Sequence, residues 1–296
     1  MSIEHYILEK RELINRELDR ILTAEHELNE FARYTILAPG HRWRPIITIA
    51  TAEMYGVPDD EILPIACCIE ILHGTSMIID DLPSFDNAMT RRGRTTLHRV
   101  SGEALAIWTS WYTLNFALSL LSYKNELPQQ TREKFVDDFG NLVSEMISGQ
   151  TKDILSKGKT MTPEQILRMY EQKSGALYGF SAVAGGIVGR ASDSKIEALR
   201  KYGRSMGTAY QILDDILDIE AKPEEIGKDV GQDVGKPTLP LLVGIETSRE
   251  KAKKLMVEAK EALAHIPRDT SVLRDLVDYI ALVNKQLTTP IIRFDV

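Results

Sequence analysis

Two clusters of aspartates, each closing a long apolar run, constrain this chain more than any other feature. The first is Asp80-Asp81-Leu82-Pro83-Ser84-Phe85-Asp86, entered through Met77-Ile78-Ile79. The second is Asp214-Asp215-Ile216-Leu217-Asp218, entered through Tyr210-Gln211-Ile212-Leu213. Carboxylates are rarely buried without partners, so a fold that carries these runs inward must supply cations. Mg²⁺ suits the acids, because it binds through one or two carboxylates and completes its shell with water and phosphate oxygens. The pattern points to a metal–phosphate site between two facing helices.

Helical periodicity runs through the chain. Apolar residues recur at three- and four-residue spacings over 5–33, 43–56, 60–81, 101–122, 129–157, 163–189, 194–220, 237–264 and 270–285. Thr162-Pro163-Glu164-Gln165 reads as an N-cap with proline inside it, whereas Val57-Pro58 and Leu127-Pro128 read as breaks. No Val/Ile/Thr alternation bounded by hairpin turns occurs, and no Ser/Gly/Pro-rich linker divides the middle. The expectation is an all-α chain with one domain over 1–296.

At about 100° per residue, Glu70, His73, Asp80 and Asp81 share one arc of an otherwise apolar helix. Gln211, Asp214, Asp215 and Asp218 form a second such stripe. Caps or ordinary ion pairs would explain one acidic cluster, but not two inside apolar helices. Pro83 should end the first helix, so Asp86 is expected to return from a loop. Cations stand nearby: Arg42 and Arg44 in the turn 39–45, Arg91 and Arg92 just past Asp86, and Lys173, Lys228 and Lys236 downstream. The arginine fork matches phosphate oxygens. Acids for metals plus separate arginines imply two polyanionic groups, one held through Mg²⁺ and one held directly. The loop 221–240, with Gly227, Gly231 and Gly235, suits a lid.

The net charge of −7 argues against general nucleic-acid binding. The two cysteines, Cys67 and Cys68, sit inside an apolar run and read as buried small hydrophobes. Met1 to Arg20 is charged throughout, without a signal core, and no stretch has the ~20 apolar residues of a membrane span. A cytoplasmic location is expected.

In order and type, the motifs resemble those of the trans-isoprenyl (polyprenyl) diphosphate synthases. Gly40-His41-Arg42-Trp43-Arg44-Pro45 is similar to the family's G-K-R-x-R-P, and Asp80 to Asp86 with Arg91-Arg92-Gly93 to its first aspartate-rich motif. Gly149-Gln150-Thr151-Lys152-Asp153 resembles G-Q-x-x-D, Lys173-Ser174 the K-T pair, and Gln211 to Asp218 the second aspartate-rich motif.

The resemblance implies an isoprenoid-synthase bundle of about ten or more helices around a central cavity. It implies a prenyltransferase that joins isopentenyl diphosphate head-to-tail to an allylic diphosphate (dimethylallyl, geranyl or farnesyl), acting as a homodimer. Asp80, Asp81 and Asp86, with Asp214 and Asp218, would hold three Mg²⁺ on the allylic diphosphate. Arg91, Lys173 and Lys228 would contact that group, and Ser174 and Gln211 would face the allylic cation. Gly40, His41, Arg42, His73 and Arg92 would hold isopentenyl diphosphate.

The chain departs from the family at His41, where the motif has lysine, in a lid about two residues short before Lys236, and at Ala88-Met89. A bulky residue five positions before the first aspartate limits product length in the family; here that residue is Thr75, followed by Ser76. This favours geranylgeranyl diphosphate, C20. Trp108, Trp111 and Tyr112 would favour C15 farnesyl diphosphate if they floor the tunnel. The competing readings are a non-catalytic partner subunit of such a synthase and a class I terpene cyclase.

Overall fold

Local signals set several helix ends in this computed structural model, which describes residues 2–22, 26–122, 127–220 and 235–286. The Ser2 hydroxyl accepts from the His5 amide and starts α1, Ile3–Ile21. After α2 (Asn29–Ile36) and α3 (Trp43–Met54), Pro58 caps α4 (Asp59–Asp80), whose first turn carries Asp59, Asp60 and Glu61. Those acids complement the positive end of the helix dipole. An antiparallel ladder follows, in which β1 (Thr90–Arg91) pairs with β2 (Arg94–Thr95). Then come α5 (Leu97–Ser101), α6 (Glu103–Ser122) and α7 (Gln129–Ser156).

Thr162 completes the capping box with Gln165 and places Pro163 first in α8, Pro163–Tyr170. Such a cap contributes about 1 kcal/mol. The helix does not then run on uninterrupted to 189, as periodicity predicts. Glu171–Gly175 forms a π turn before α9 (Ala176–Val188). The remaining helices are α10 (Asp193–Glu220), α11 (Leu239–Val243), α12 (Ile245–Leu263) and α13 (Ser271–Gln286).

Two other expected helices are divided. The run 5–33 becomes α1 and α2, and 237–264 breaks at Gly244, whose φ of 86° and ψ of 157° suit only glycine. Apolar periodicity carries across both breaks, because the flanking helices bury their apolar faces in one core.

That core is built around α4 and α9, with α3 and α10 packed against α9. Cys67 and Cys68 are free thiols with no exposed surface. Contrary to the expectation from sequence, α4 and α6 are, by length and composition alone, long and apolar enough to cross a membrane. Most of α4 is buried within the protein. Less of α6 is, and its exposed residues include Leu105, Ile107, Trp108 and Trp111.

Candidate active site

A cavity of about 970 Å³ opens at the C-terminal end of α4, walled by α6, α7, the π turn and α10. Pro83 stops α4 where expected: Asp80 is its last residue and Asp81 its cap. The Asp86 amide then donates to the Asp80 carbonyl at 3.0 Å, folding Asp86 back so that both side chains line the cavity. Asp81 turns elsewhere. It is buried, lies outside the cavity lining, and accepts from Arg91 Nε at 2.8 Å and Nη2 at 2.7 Å. Asp81, expected as a metal ligand, thus meets a guanidinium that itself lines the cavity.

Across the cavity, α10 presents Gln211, Asp214, Asp215 and Asp218. Asp215 is the buried member, accepting from Gln211 Nε2 at 2.8 Å and from the Tyr170 hydroxyl. The Tyr170 oxygen in turn accepts the Leu239 amide at 3.0 Å. Ser174 Oγ donates to Gln211 Oε1 at 2.6 Å, so hydroxyl, amide and carboxylate form one chain of bonds.

Lysines sit among the acids. Lys236 Nζ lies 2.8 Å from Asp86 Oδ1, and Lys173 Nζ donates to Asp153 Oδ2 at 2.6 Å. Burial, reinforced by Asp86 and Asp81, lifts the Asp80 carboxyl to a pKa of about 6, although Lys173 and Arg91 pull the other way. Burial alone would lower the Lys173 pKa, but Asp80 and Asp153 outweigh it and raise it. A carboxylate this reluctant to ionise accommodates further positive charge. Among the described residues no three acids, histidines or cysteines converge on a metal point. An ion here would share its shell with ligand oxygens, as Mg²⁺ commonly does.

The other end of the cavity is basic. Arg42 caps α3 in a left-handed conformation, φ 59°. Each nitrogen of its guanidinium makes one bond, to Asn15 Oδ1 at 2.9 Å, Glu70 Oε1 at 2.6 Å and the Ala38 carbonyl at 2.9 Å. Arg42, expected to hold isopentenyl diphosphate, lines the cavity and is tied to α1, the preceding loop and α4 by these three bonds. Glu70, expected on the polar stripe, is the buried counter-ion. Arg44 lies over the Tyr178 ring at 4.5 Å with its buried Nε unpartnered. Arg92 also has φ above zero, 53°, and its buried Nη1 has no acceptor. Gly40 lets Arg92 lie flat: a Cβ there would stand 2.9 Å from the guanidinium carbon.

Burial and the nearby arginines lower Arg92 to about 10. His73 falls well below its ordinary pKa through burial and the charges of Arg44 and Arg92. His41 stacks on Trp43 with ring centroids 4.9 Å apart. Its ring is open to the cavity yet surrounded by protein, and burial, then Arg92 and Arg11, lower its pKa to about 4. Two unpartnered guanidinium donors and two neutral histidines make a pocket suited to an anion.

Between these ends the wall is apolar or hydroxylic. Thr75 lines it, donating to the Ile71 carbonyl and lying 2.7 Å from the Thr113 hydroxyl, with Ser76 beside it. Trp111 also lines the cavity, although 67% exposed. Trp108 and Tyr112, which would shorten the product if they floored the tunnel, lie outside the lining. Trp108 is 64% exposed, and Tyr112 donates to Asn29 Oδ1 at 2.6 Å while stacking on His26. Lys228 lies outside the described residues.

Sequence reasoning assigned no role to Tyr170, Asp153 or Asp215, and left Arg44 out of the binding set. Asp153 closes the Gly149-Gln150 motif and Asp215 adjoins Asp214, so both had a local signal; Tyr170 had none.

The profile of the polyprenyl synthetase family matches residues 25–280. Geranylgeranyl pyrophosphate synthase 10, mitochondrial, of Arabidopsis thaliana is 36% identical over 293 residues, covering 95% of this chain and 85% of its own. The chloroplastic geranylgeranyl pyrophosphate synthase of Catharanthus roseus is 37% identical over 287 residues, covering 93% and 80%. Among solved structures, the geranyltransferase of Helicobacter pylori complexed with magnesium and isoprenyl diphosphate superposes with a TM-score of 0.84 at 26% identity, covering 97% of this chain and 99% of that one. The geranylgeranyl pyrophosphate synthetase of the archaeon Geoglobus acetivorans gives 0.82 at 26%, covering 97% and 98%. A profile match of that length, with relatives at that identity across nearly the whole sequence, settles the kinship: this chain belongs to the polyprenyl synthetase family.

Proposed function

We propose that the protein is a trans-prenyltransferase that elongates an allylic diphosphate with isopentenyl diphosphate, as homologues named geranylgeranyl pyrophosphate synthase support. The observation that carries this reading is the polarity of one cavity, with acids at one end and guanidiniums that have unpartnered donors at the other. Each end suits a different diphosphate. A terpene cyclase has one such group to bind, and the Arg44–Arg92 pocket argues against it.

The allylic diphosphate belongs at the acidic end. Asp80 and Asp86 on one wall and Asp214 and Asp218 on the other would hold divalent metal there, and we assign three Mg²⁺. When bound, Mg²⁺ neutralises charge building on the departing diphosphate. Asp81 keeps Arg91 aimed at the same group, and Asp153 does so for Lys173. The allylic C–O bond breaks, and the homoallylic double bond attacks the carbon released. Ser174 and Gln211, locked by Asp215 and Tyr170, offer oriented dipoles beside the cation without a free nucleophile. The released diphosphate takes the proton lost from the former isopentenyl unit.

The buried, hydrogen-bonded Thr75 leaves the wall open for growth, so the product assigned is C20 geranylgeranyl diphosphate rather than C15. The exposed Leu105, Ile107 and Trp108 of α6, with Ile154 and Leu155 of α7, are apolar side chains that a homodimer interface would cover. The test is incubation of purified protein with Mg²⁺, isopentenyl diphosphate and each C5, C10 and C15 allylic diphosphate. Turnover to C20 supports the assignment; no turnover with any pair favours a non-catalytic partner subunit.

A further inference from the structure

The basic end of the cavity contains a cation supplied by neither aspartate motif nor by the Gly40–Pro45 turn. Arg11, on α1, lines the same space as Gly40, His41, Arg44, His73 and Arg92. Its direction follows from its neighbour. Lys10 is buried, 2.6 Å from Glu53 and 2.7 Å from Asp59, and Tyr6 one turn earlier donates to Glu53. Those bonds fix the rotation of α1 about its axis, and the next residue, about 100° round the helix, turns toward the cavity.

Arg11 has no hydrogen bond or ion pair with another described residue, unlike Arg42, whose guanidinium is occupied three times. Glu4 is the only acid of α1 in the cavity wall, and it stands two helical turns back, about 10.5 Å along the axis. Arg11 shares the cavity wall with the stack in which Trp43 meets the His41 ring on one side and the edge of Tyr279 on the other. Its charge is felt by both His41 and Tyr279. The pocket needs such a charge. A diphosphate ester carries more negative charge than Arg44 and Arg92 can neutralise, and neutral His41 adds none.

We propose that Arg11 binds the diphosphate of isopentenyl diphosphate and supplies the third fixed positive charge of that pocket, beside Arg44 and Arg92. The inference rests on the elongation reading. Losing one charge-assisted contact weakens binding by about tenfold. The test is calorimetric titration of the protein with isopentenyl diphosphate alone. Arg11→Gln should raise Kd about tenfold or more, while Arg11→Lys should stay within about threefold of wild type. Introducing His41→Lys into Arg11→Gln should recover most of the loss and change the wild type much less.

In steady-state assays KM for isopentenyl diphosphate should rise, with kcat and the allylic KM within about twofold. An unchanged Kd in Arg11→Gln overturns the proposal, as does equal loss of kcat and both KM values. So does a His41→Lys gain of equal size in both backgrounds. Wild-type protein that binds isopentenyl diphosphate but joins it to no allylic diphosphate sinks the elongation reading and leaves the Arg11 result standing. Wild-type protein that does not bind it overturns both.

Discussion

Gly149 of α7 approaches Lys173 so closely that a Cβ on the glycine would sit 2.5 Å from the Lys173 backbone nitrogen. The contact is backbone to backbone, and no flexible side-chain end is there to yield. Gly149→Ala is therefore expected to push the π turn off α7, costing about 1–3 kcal/mol of stability and misplacing Lys173 and Ser174. Denaturant melts should show the loss, and kcat should drop about tenfold or more. An alanine variant of full stability and activity would contradict this account of the turn.

Asp80 makes a trade between stability and function measurable. Its folded pKa, about 6, lies above the ordinary 3.8. The unfolded chain gives up this proton first, so the contribution of Asp80 is fully present below about pH 4 and is lost as pH rises through 6. Discounted for solvent in the cavity, the deficit at neutral pH is on the order of 1–2 kcal/mol. Asp80→Asn is expected to melt higher than wild type at pH 7.5 in chelator, with the difference vanishing near pH 4. Turnover should fall by at least about a hundredfold. A variant that melts lower at pH 7.5 would refute the repulsion argument.

Glu70 is the counter-charge on which the basic end depends. Its oxygen holds Arg42 at 2.6 Å and lies 3.6 Å from Arg92, in surroundings with almost no exposed surface. Glu70→Ala leaves a guanidinium buried and uncompensated, which costs about 3–5 kcal/mol. Removing Arg42 as well should cost less than the sum of the single changes. Additive losses in chemical denaturation would show that the pair is not coupled.

His41 turns ligand binding into proton uptake. In the free protein its pKa is near 4 against 6.5 unfolded, so the imidazole is neutral at pH 7, and its contribution to stability is lost as pH falls from about 6.5 toward 4. A diphosphate beside it raises that pKa. Isopentenyl diphosphate should then bind more tightly at pH 6 than at pH 8, by about threefold to tenfold. His41→Lys should bind more tightly at pH 8 and with a flatter profile, and equal pH slopes in the two proteins would defeat the prediction.

Thr75 and Trp108 should separate cavity from surface. Thr75→Phe fills the wall beside Ser76 and is expected to shorten the main product by at least one five-carbon unit. Trp108→Ala removes an exposed ring outside the cavity, so product length should hold while self-association weakens. Product analysis and sedimentation velocity read the two effects. A shorter or longer product from Trp108→Ala would return that residue to the tunnel.

What could be read from sequence depended on whether the deciding interaction was local. Pro83 and the apolar run before it were enough to place Asp80 at a helix end and Asp86 in a returning loop. Thr162 and Pro163 marked a cap for the same reason. The π turn was not legible, because apolar spacing continues across it and the displacement is set by α7 passing at Gly149. Arg42 and Arg44 are alike as sequence; only the distant partners Asn15 and Glu70 decide which of them is occupied. On α6, apolar on nearly every side, nothing local distinguishes Trp111, in the cavity wall, from Trp108, which faces outward.

The π turn also carries a surplus residue, one more than an α-helical turn would use. Deleting one residue between 171 and 175 would leave a hydrogen-bonded helix of almost the same length. Because four residues at 100° turn about as far as five in the wider π turn, α9 would keep nearly its present phase against α3 and α10. What would be lost is the local bulge that carries Lys173 and Ser174 to the cavity, so the extra residue belongs to the site and not to the packing of the helix.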